Sequence, residues 1–208
     1  MKKRWLLGAV AGLTLSAVTG WVQAQDNTFK IGLVLPMSGP FASTGKQMEL
    51  AARLYMAQHG DTVAGRKVVL IVKDDTGAPD VTKRIAQELV INDKVQVLAG
   101  FGLTPLAMAT APVATQSKTP LVVMAAATSI ITEASPFIVR TSFTVPQVVT
   151  TLADWATKNN IKRVVSLVTD YAPGIDSEKY FNQRFINNGG VVIETLRVPL
   201  RSPDFAPF

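Results

Sequence analysis

Apolar residues fall along this chain in short blocks that alternate between two periods. Residues 29–35 (FKIGLVL) form a nearly continuous apolar run, as expected of a strand buried on both faces, and the breakers of 36–40 (PMSGP) force a loop after it. Met48, Ala51, Ala52 and Tyr55 recur at i, i+3, i+4 and i+7, which predicts a helix over 44–58 closed by Gly60. A β-branched run at 68–72 predicts the second strand, with Asp74 and Asp75 just past its end. Pro79 opens a second helix carrying Val81, Ile85, Leu89 and Asn92 on one face. Strands at 95–99 and 121–124 flank a helix beginning at Thr104 and Pro105, with Thr104 as its cap. These elements alternate as β-α-β-α-β-α-β, the pattern of a doubly wound parallel sheet of the α/β class.

The pattern then restarts. Residues 137–140 form a short further strand, and Thr144 is the expected cap of a helix with Pro146 in its first turn, running to 159–160. A strand at 163–169, a helix at 175–187 and a strand at 191–198 follow, with Gly189 and Gly190 stopping the helix. The expected division is lobe one at 25–142 and lobe two at 143–208. Residues 199–208 show no period, and a two-stranded lobe is marginal with unpaired edges, so lobe two is expected to be incomplete within this sequence.

The first residues change the charge picture. Lys2, Lys3 and Arg4 precede an apolar segment from Leu6 to Val18, and Val22, Gln23 and Ala24 form a small-residue site. This is the pattern of a secretory signal peptide over 1–24, cleaved before Gln25; the apolar core is shorter than the ~20 residues that span a bilayer, which disfavours a membrane anchor. Three of the 21 basic residues belong to it, leaving 18 against 15 acidic and dispersed, with no run that follows a phosphate backbone. Nucleic acid is therefore excluded as a partner. With no cysteine, the chain has neither a disulfide framework, thiolate chemistry nor a lipid-anchored cysteine, and an exported, unanchored protein points to a periplasm.

Candidate chemistry centres on two loops that follow adjacent strands. Parallel strands bind ligands beyond their carboxyl ends, so the Gly100–Thr104 and Ala125–Ser129 loops place Thr104 and Thr128 on one rim. A dinucleotide fingerprint fails there, because the third glycine of G-x-G-x-x-G falls on Pro105. The loop can still receive an anion, since free N–H groups and the helix dipole favour negative charge, and a carboxylate suits it better than a pyrophosphate. The small residues around Ala126 allow a ligand close to the main chain, a plain turn being the alternative, and Tyr171 can close over it from lobe two, although ordinary packing explains Tyr171 equally well. Metal binding is poorly supported: His59 is expected at the surface, and Asp74 and Asp75 point oppositely on an extended chain, one capping a turn and the other in solvent. Ser38, Thr128 and Ser129 lack a base to make them nucleophiles, and Asp75 with Asp170 remains only a formal pair of carboxylates, so no enzymatic activity is expected.

In combination these residues resemble the leucine/isoleucine/valine-type substrate-binding proteins of ABC importers. The resemblance runs through 31–40 (IGLVLPMSGP), Gly45, 72–76 (VKDDT), 98–100 (LAG), 126–128 (AAT) and 170–174 (DYAPG), covering the mature chain in order. It implies a type I periplasmic binding fold, two doubly wound lobes closing on a ligand, with no cofactor. It further implies that Thr104 binds a carboxylate through its hydroxyl and N–H, that Ala126 and Thr128 hold an amino group, and that Tyr171 supplies the second wall. Ser38 and Thr44 complete the candidate ligand contacts. Thr44 stands where amino-acid-binding members often carry an aromatic, so amides or aromatic acids are alternatives to a branched-chain amino acid. The implied partners are a small-molecule ligand and an inner-membrane ABC permease, with the complete protein a monomer. The alternative is the same fold serving as the ligand-binding part of a sensor.

Overall fold

The computed structural model describes residues 27–200 together with 205 and 206; the expected signal peptide lies outside them. A six-stranded sheet is built from β1 (Thr28–Leu35), β2 (Thr62–Val63), β3 (Arg66–Asp74), β4 (Val97–Gly100), β5 (Leu121–Val123) and β6 (Ile138–Arg140), in the order β2-β3-β1-β4-β5-β6. All pairings are parallel except β2 with β3. Helix α1 (Ala42–His59) lies on one face, while α2 (Pro79–Ile91) and α3 (Thr104–Ser117) belong to the core on the other. The apolar run of β1 explains this layering. Leu33 and Leu35 join Met48 and Ala52 in one core, and Val34 joins Leu89, Leu98, Leu121 and Val123 in the other.

Several boundaries and faces differ from the sequence expectation. The inward face of α1 is centred on Gly45, Met48, Ala52 and Met56, whereas Ala51 and Tyr55 are exposed. The cause is Gly45: a Cβ there would meet the Pro36 carbonyl oxygen at 2.2 Å, so the bare glycine lets the helix approach the loop and sets its rotation. Tyr55 instead stacks on the exposed His59 ring, centroids 4.1 Å apart. In α2, Thr82 is fully buried, its hydroxyl donating to the Ala78 carbonyl at 2.8 Å, while Asn92 is an exposed C-cap. The short antiparallel β2 has no sequence signal. Strand β4 starts at Val97 rather than Val95, after a turn in which the Gln96 side chain donates to the Lys94 carbonyl.

The second sheet contains β7 (Arg163–Thr169) and β8 (Val191–Val198), paired in parallel, with α4 (Val145–Lys158) and α5 (Ala172–Asn187) packed together against it. Thr144 and Gln147 form a capping box at the start of α4. Asp154 of α4 accepts from Arg184 of α5 and from its C-cap Asn188, and those hydrogen bonds hold its pKa at about 2. Phe185, Ala153 and Ala156 form the core between the helices and the sheet. On the opposite face Val165, Leu167 and Ile193 are each more than half exposed.

Candidate functional site

The carboxyl ends of β1, β4 and β5 lie side by side, in the register Val34 to Gly100 to Val123. The order of the sheet reverses between β1 and β4, which is the topological switch point where ligands bind such sheets. Three loops leave this rim. The loop after β1 is held by Asp74, whose carboxylate accepts from the N–H groups of Met37 and Thr76. Burial works against the ionised Asp74, but hydrogen bonds from the Ser38 hydroxyl and from the backbone of Thr76, Met37 and Ser38 outweigh it and lower its pKa.

Asp75 is buried completely, a correction to the expectation that one of the two acids faces solvent. Its Oδ1 accepts from the Gly77 N–H at 2.8 Å, and its Oδ2 has no partner. Burial, reinforced by the neighbouring Asp74 charge, pushes its pKa up. A raised folded-state pKa makes the proton stabilising: stability is highest below the ordinary value of 3.8 and falls as pH rises through the folded value. Asp75→Asn is therefore expected to raise the unfolding free energy at pH 7 by about 1 kcal/mol, with the gain vanishing below pH ~4. Denaturant melts at both pH values check this; an equal effect at both would contradict it. Asp170 pairs with Arg197 at 3.8 Å in the second sheet, so the formal pair of Asp75 and Asp170 serves two separate environments.

The loop after β4 turns sharply. Gly100 has φ +115° and Phe101 φ +62°, a conformation that a bulky side chain rarely adopts. The Phe101 ring is fully buried, and its backbone is pinned by its N–H to the Val34 carbonyl (2.9 Å) and by its carbonyl to the Ala126 N–H (3.0 Å). The packing of that ring over-determines the strain, as is common where a loop must be aimed. Past the turn, α3 begins with Leu103 at the N-cap, Thr104 at the first position and Pro105 at the second. Thr104 is thus not the cap, and no side chain caps this helix. The N–H groups of Gly102, Leu103 and Thr104 consequently have no partner among the described residues.

The hydroxyls of Thr104 and Thr128 meet at 2.7 Å, both residues being almost wholly buried. The rim shared by these two residues is as the sequence placed it. Their hydroxyls form one hydrogen-bonded unit rather than two separate posts. The Ala126 carbonyl beside them has no partner among the described residues. Arg140, at the end of β6, donates to the carbonyls of Ala127 and Thr128 and fixes this loop. Asp176 of α5 accepts from the Ser129 N–H at 2.7 Å. Neither Arg140 nor Asp176 stands out as a site residue in the sequence; an arginine closing the apolar run 137–140 is the one available signal.

Tyr171 is the N-cap of α5, half-buried, with its hydroxyl pKa raised by burial. It lies on the same helix end as Asp176, whose bond to Ser129 brings α5 against the Thr128 loop. Ser38 is exposed but already bonded to Asp74, and Thr44 is exposed on the first turn of α1. An apolar groove of about 250 Å³ lined by Leu152, Val165, Leu167 and Phe181 runs along β7 instead, carries none of these polar groups, and belongs to the uncovered sheet rather than to the rim. Among the described residues no cluster of acids and histidine suits a metal ion.

Chemically, the rim offers unpaired N–H groups at a helix N-terminus, a hydroxyl pair and one free carbonyl. Among the described residues neither hydroxyl is bonded to a base that would activate it. The family profile described as "Periplasmic binding protein" matches residues 28–208. The Leu/Ile/Val-binding protein homolog 6 of Brucella abortus is 43% identical over 206 residues, covering 99% of this chain and 52% of that protein. A solute-binding protein of an ABC transporter from Rhodopseudomonas palustris BisB5, solved in complex with 3,4-dihydroxybenzoic acid, is 59% identical with a TM-score of 0.85, over 88% of this chain and 50% of that one. Another from R. palustris, in complex with 4-hydroxybenzoate, is 43% identical with a TM-score of 0.83, over 86% and 49%. The chain spans about half the length of these relatives. Matched along its described length in sequence and in fold, the chain belongs to the periplasmic binding protein family and has its type I, doubly wound α/β architecture.

Proposed function

We propose that this chain is the first part of a periplasmic receptor of an ABC importer, and that its cleft captures a small aromatic carboxylate for delivery to a membrane permease. The observation that carries this reading is the Thr104–Thr128 hydroxyl pair set beside the unpartnered N–H groups of Gly102, Leu103 and Thr104. A carboxylate seated there accepts from backbone N–H groups, from the free hydroxyl proton of the pair and from the dipole of α3. The Ala126 carbonyl in the same loop accepts from a donor on the ligand, equally a phenol or an ammonium group.

Asp74 is bonded to Met37 and Thr76, and Asp176 to Ser129, so both of these acids are committed to holding loops, which favours the phenol. The two similar receptors solved with hydroxylated benzoates support the same choice. Tyr171 then offers a ring against a flat ligand, as offset aromatic pairs prefer. Function is binding without turnover: ligand affinity shifts the lobes toward the closed population about the crossover at 141–145. The uncovered apolar face of β7 and β8 supports treating this chain as part of a longer receptor.

Thermal-shift titration of the full-length receptor tests the assignment, since a ligand that binds only the native state stabilises it by about 2.7 kcal/mol at a hundredfold excess over Kd. 3,4-Dihydroxybenzoate and 4-hydroxybenzoate are expected to raise the midpoint, and L-leucine to leave it unchanged. A larger rise with L-leucine would replace the aromatic ligand by an amino acid. No rise with any of the three would count against the receptor reading itself.

A further inference from the structure

The peptide unit joining Thr128 to Ser129 is gripped from both ends. Its carbonyl accepts from the Arg140 guanidinium, and its N–H donates to Asp176 Oδ2 at 2.7 Å. A cation on the carbonyl side and an anion on the N–H side polarise one amide in the same sense, which strengthens both charge-assisted bonds. Arg140 closes β6 of the first sheet, whereas Asp176 sits in the second turn of α5, in the second lobe. Asp176 is only 9% exposed, an unusual position for a carboxylate that has no direct ion pair among the described residues. Burial lowers the Arg140 pKa and the Asp176 charge opposes that shift, so the two groups sense each other across the amide. The crossover is tied to the same loop, with the Val145 N–H donating to the Ala127 carbonyl at 2.9 Å.

Resting on the receptor reading, we propose that Asp176 is a positioning residue for ligand capture: through the Thr128–Ser129 amide and Arg140 it latches lobe two onto the ligand loop, so that cleft closure and the aim of the Thr128 hydroxyl form together. Opening the lobes separates Asp176 from Ser129, because the two residues ride on different sheets. Ligand seated against Thr128 stiffens the loop that Asp176 must reach, and a docked Asp176 in turn holds Thr128 toward the ligand. The effect on affinity therefore acts through the closed population and not through a contact with ligand.

The test compares Asp176→Ala and Asp176→Asn in the full-length receptor. Spin labels on cysteines placed at the exposed Lys83 and Lys158, with any native cysteine of the full-length receptor replaced, report the distance between lobes. Without ligand, Asp176→Ala is expected to remove the short-distance population, while Asp176→Asn, which keeps an acceptor for the Ser129 N–H, retains part of it. With 3,4-dihydroxybenzoate as probe, Asp176→Ala is expected to weaken binding roughly tenfold through faster dissociation, with the asparagine variant between it and wild type. The distance measurement needs no ligand, so it stays decisive even if aromatic acids do not bind. An unliganded distance distribution unchanged by Asp176→Ala would overturn the proposal. So would a lowered unfolding midpoint with no change in the distance between lobes, which is what a purely structural role would give.

Discussion

Gly100→Ala is expected to destabilise the fold around the first sheet by about 4 kcal/mol or more, a large share of the stability of an ordinary domain. Two independent costs meet at this position. The backbone has φ +115°, a region that an L side chain rarely enters. An added Cβ would also lie 2.2 Å from the Val34 carbonyl oxygen and 2.8 Å from Leu35 Cδ2. The first of these is backbone of the paired strand, which cannot retreat without breaking the Val34 to Gly100 register. Gly102→Ala is the matched control. It has no positive φ, and its Cβ would meet the side chains of Pro36, at 3.0 Å, and Met48, at 3.9 Å, so a cost of about 1 kcal/mol is expected. Denaturant unfolding separates the two; a Gly100→Ala midpoint close to wild type would show that the loop does not depend on this turn.

Thr104→Val and Thr128→Val are each expected to cost about 1–3 kcal/mol of stability, and the double variant to cost less than either alone. The hydroxyls are paired with each other at 2.7 Å and shielded from solvent. Removing one leaves the other buried without its partner, whereas removing both leaves two apolar groups of nearly the same shape in contact. Ligand binding should not recover in the double variant, because the rim then has no hydroxyl to offer a carboxylate. Stability restored with binding still lost is the signature of a functional polar pair in an otherwise apolar seam. Additive destabilisation in the double variant would show instead that the hydroxyls are not coupled.

The layered sheet was legible because its strands are apolar runs broken by glycine and proline, as in residues 29–40, and each helix carries a period of its own. The shared rim of Thr104 and Thr128 was legible for the same reason, since a parallel sheet places its loops without further information. What escaped was set by close contacts between distant residues. The rotation of α1 depends on Gly45 against the Pro36 carbonyl, not on the spacing of Ala51 and Tyr55. Leu103 takes the N-cap of α3 because the positive-φ turn at Phe101 positions the chain before Thr104 is reached. Alternation along an extended chain puts one of Asp74 and Asp75 in solvent, but Asp75 is fully buried, its carboxylate held by the Gly77 N–H. Asp176 finds Ser129 across 47 residues, a contact that no local period encodes.

Calorimetric titration of the full-length receptor and its Thr104→Val variant with 3,4-dihydroxybenzoate is the most direct measurement on the cleft itself. Wild type is expected to bind one equivalent, and Thr104→Val to bind at least tenfold more weakly, the loss of a charge-assisted hydrogen bond being roughly 1.5–3 kcal/mol. Equal affinity in the two proteins would place the carboxylate elsewhere and contradict the assignment of this rim as the ligand site.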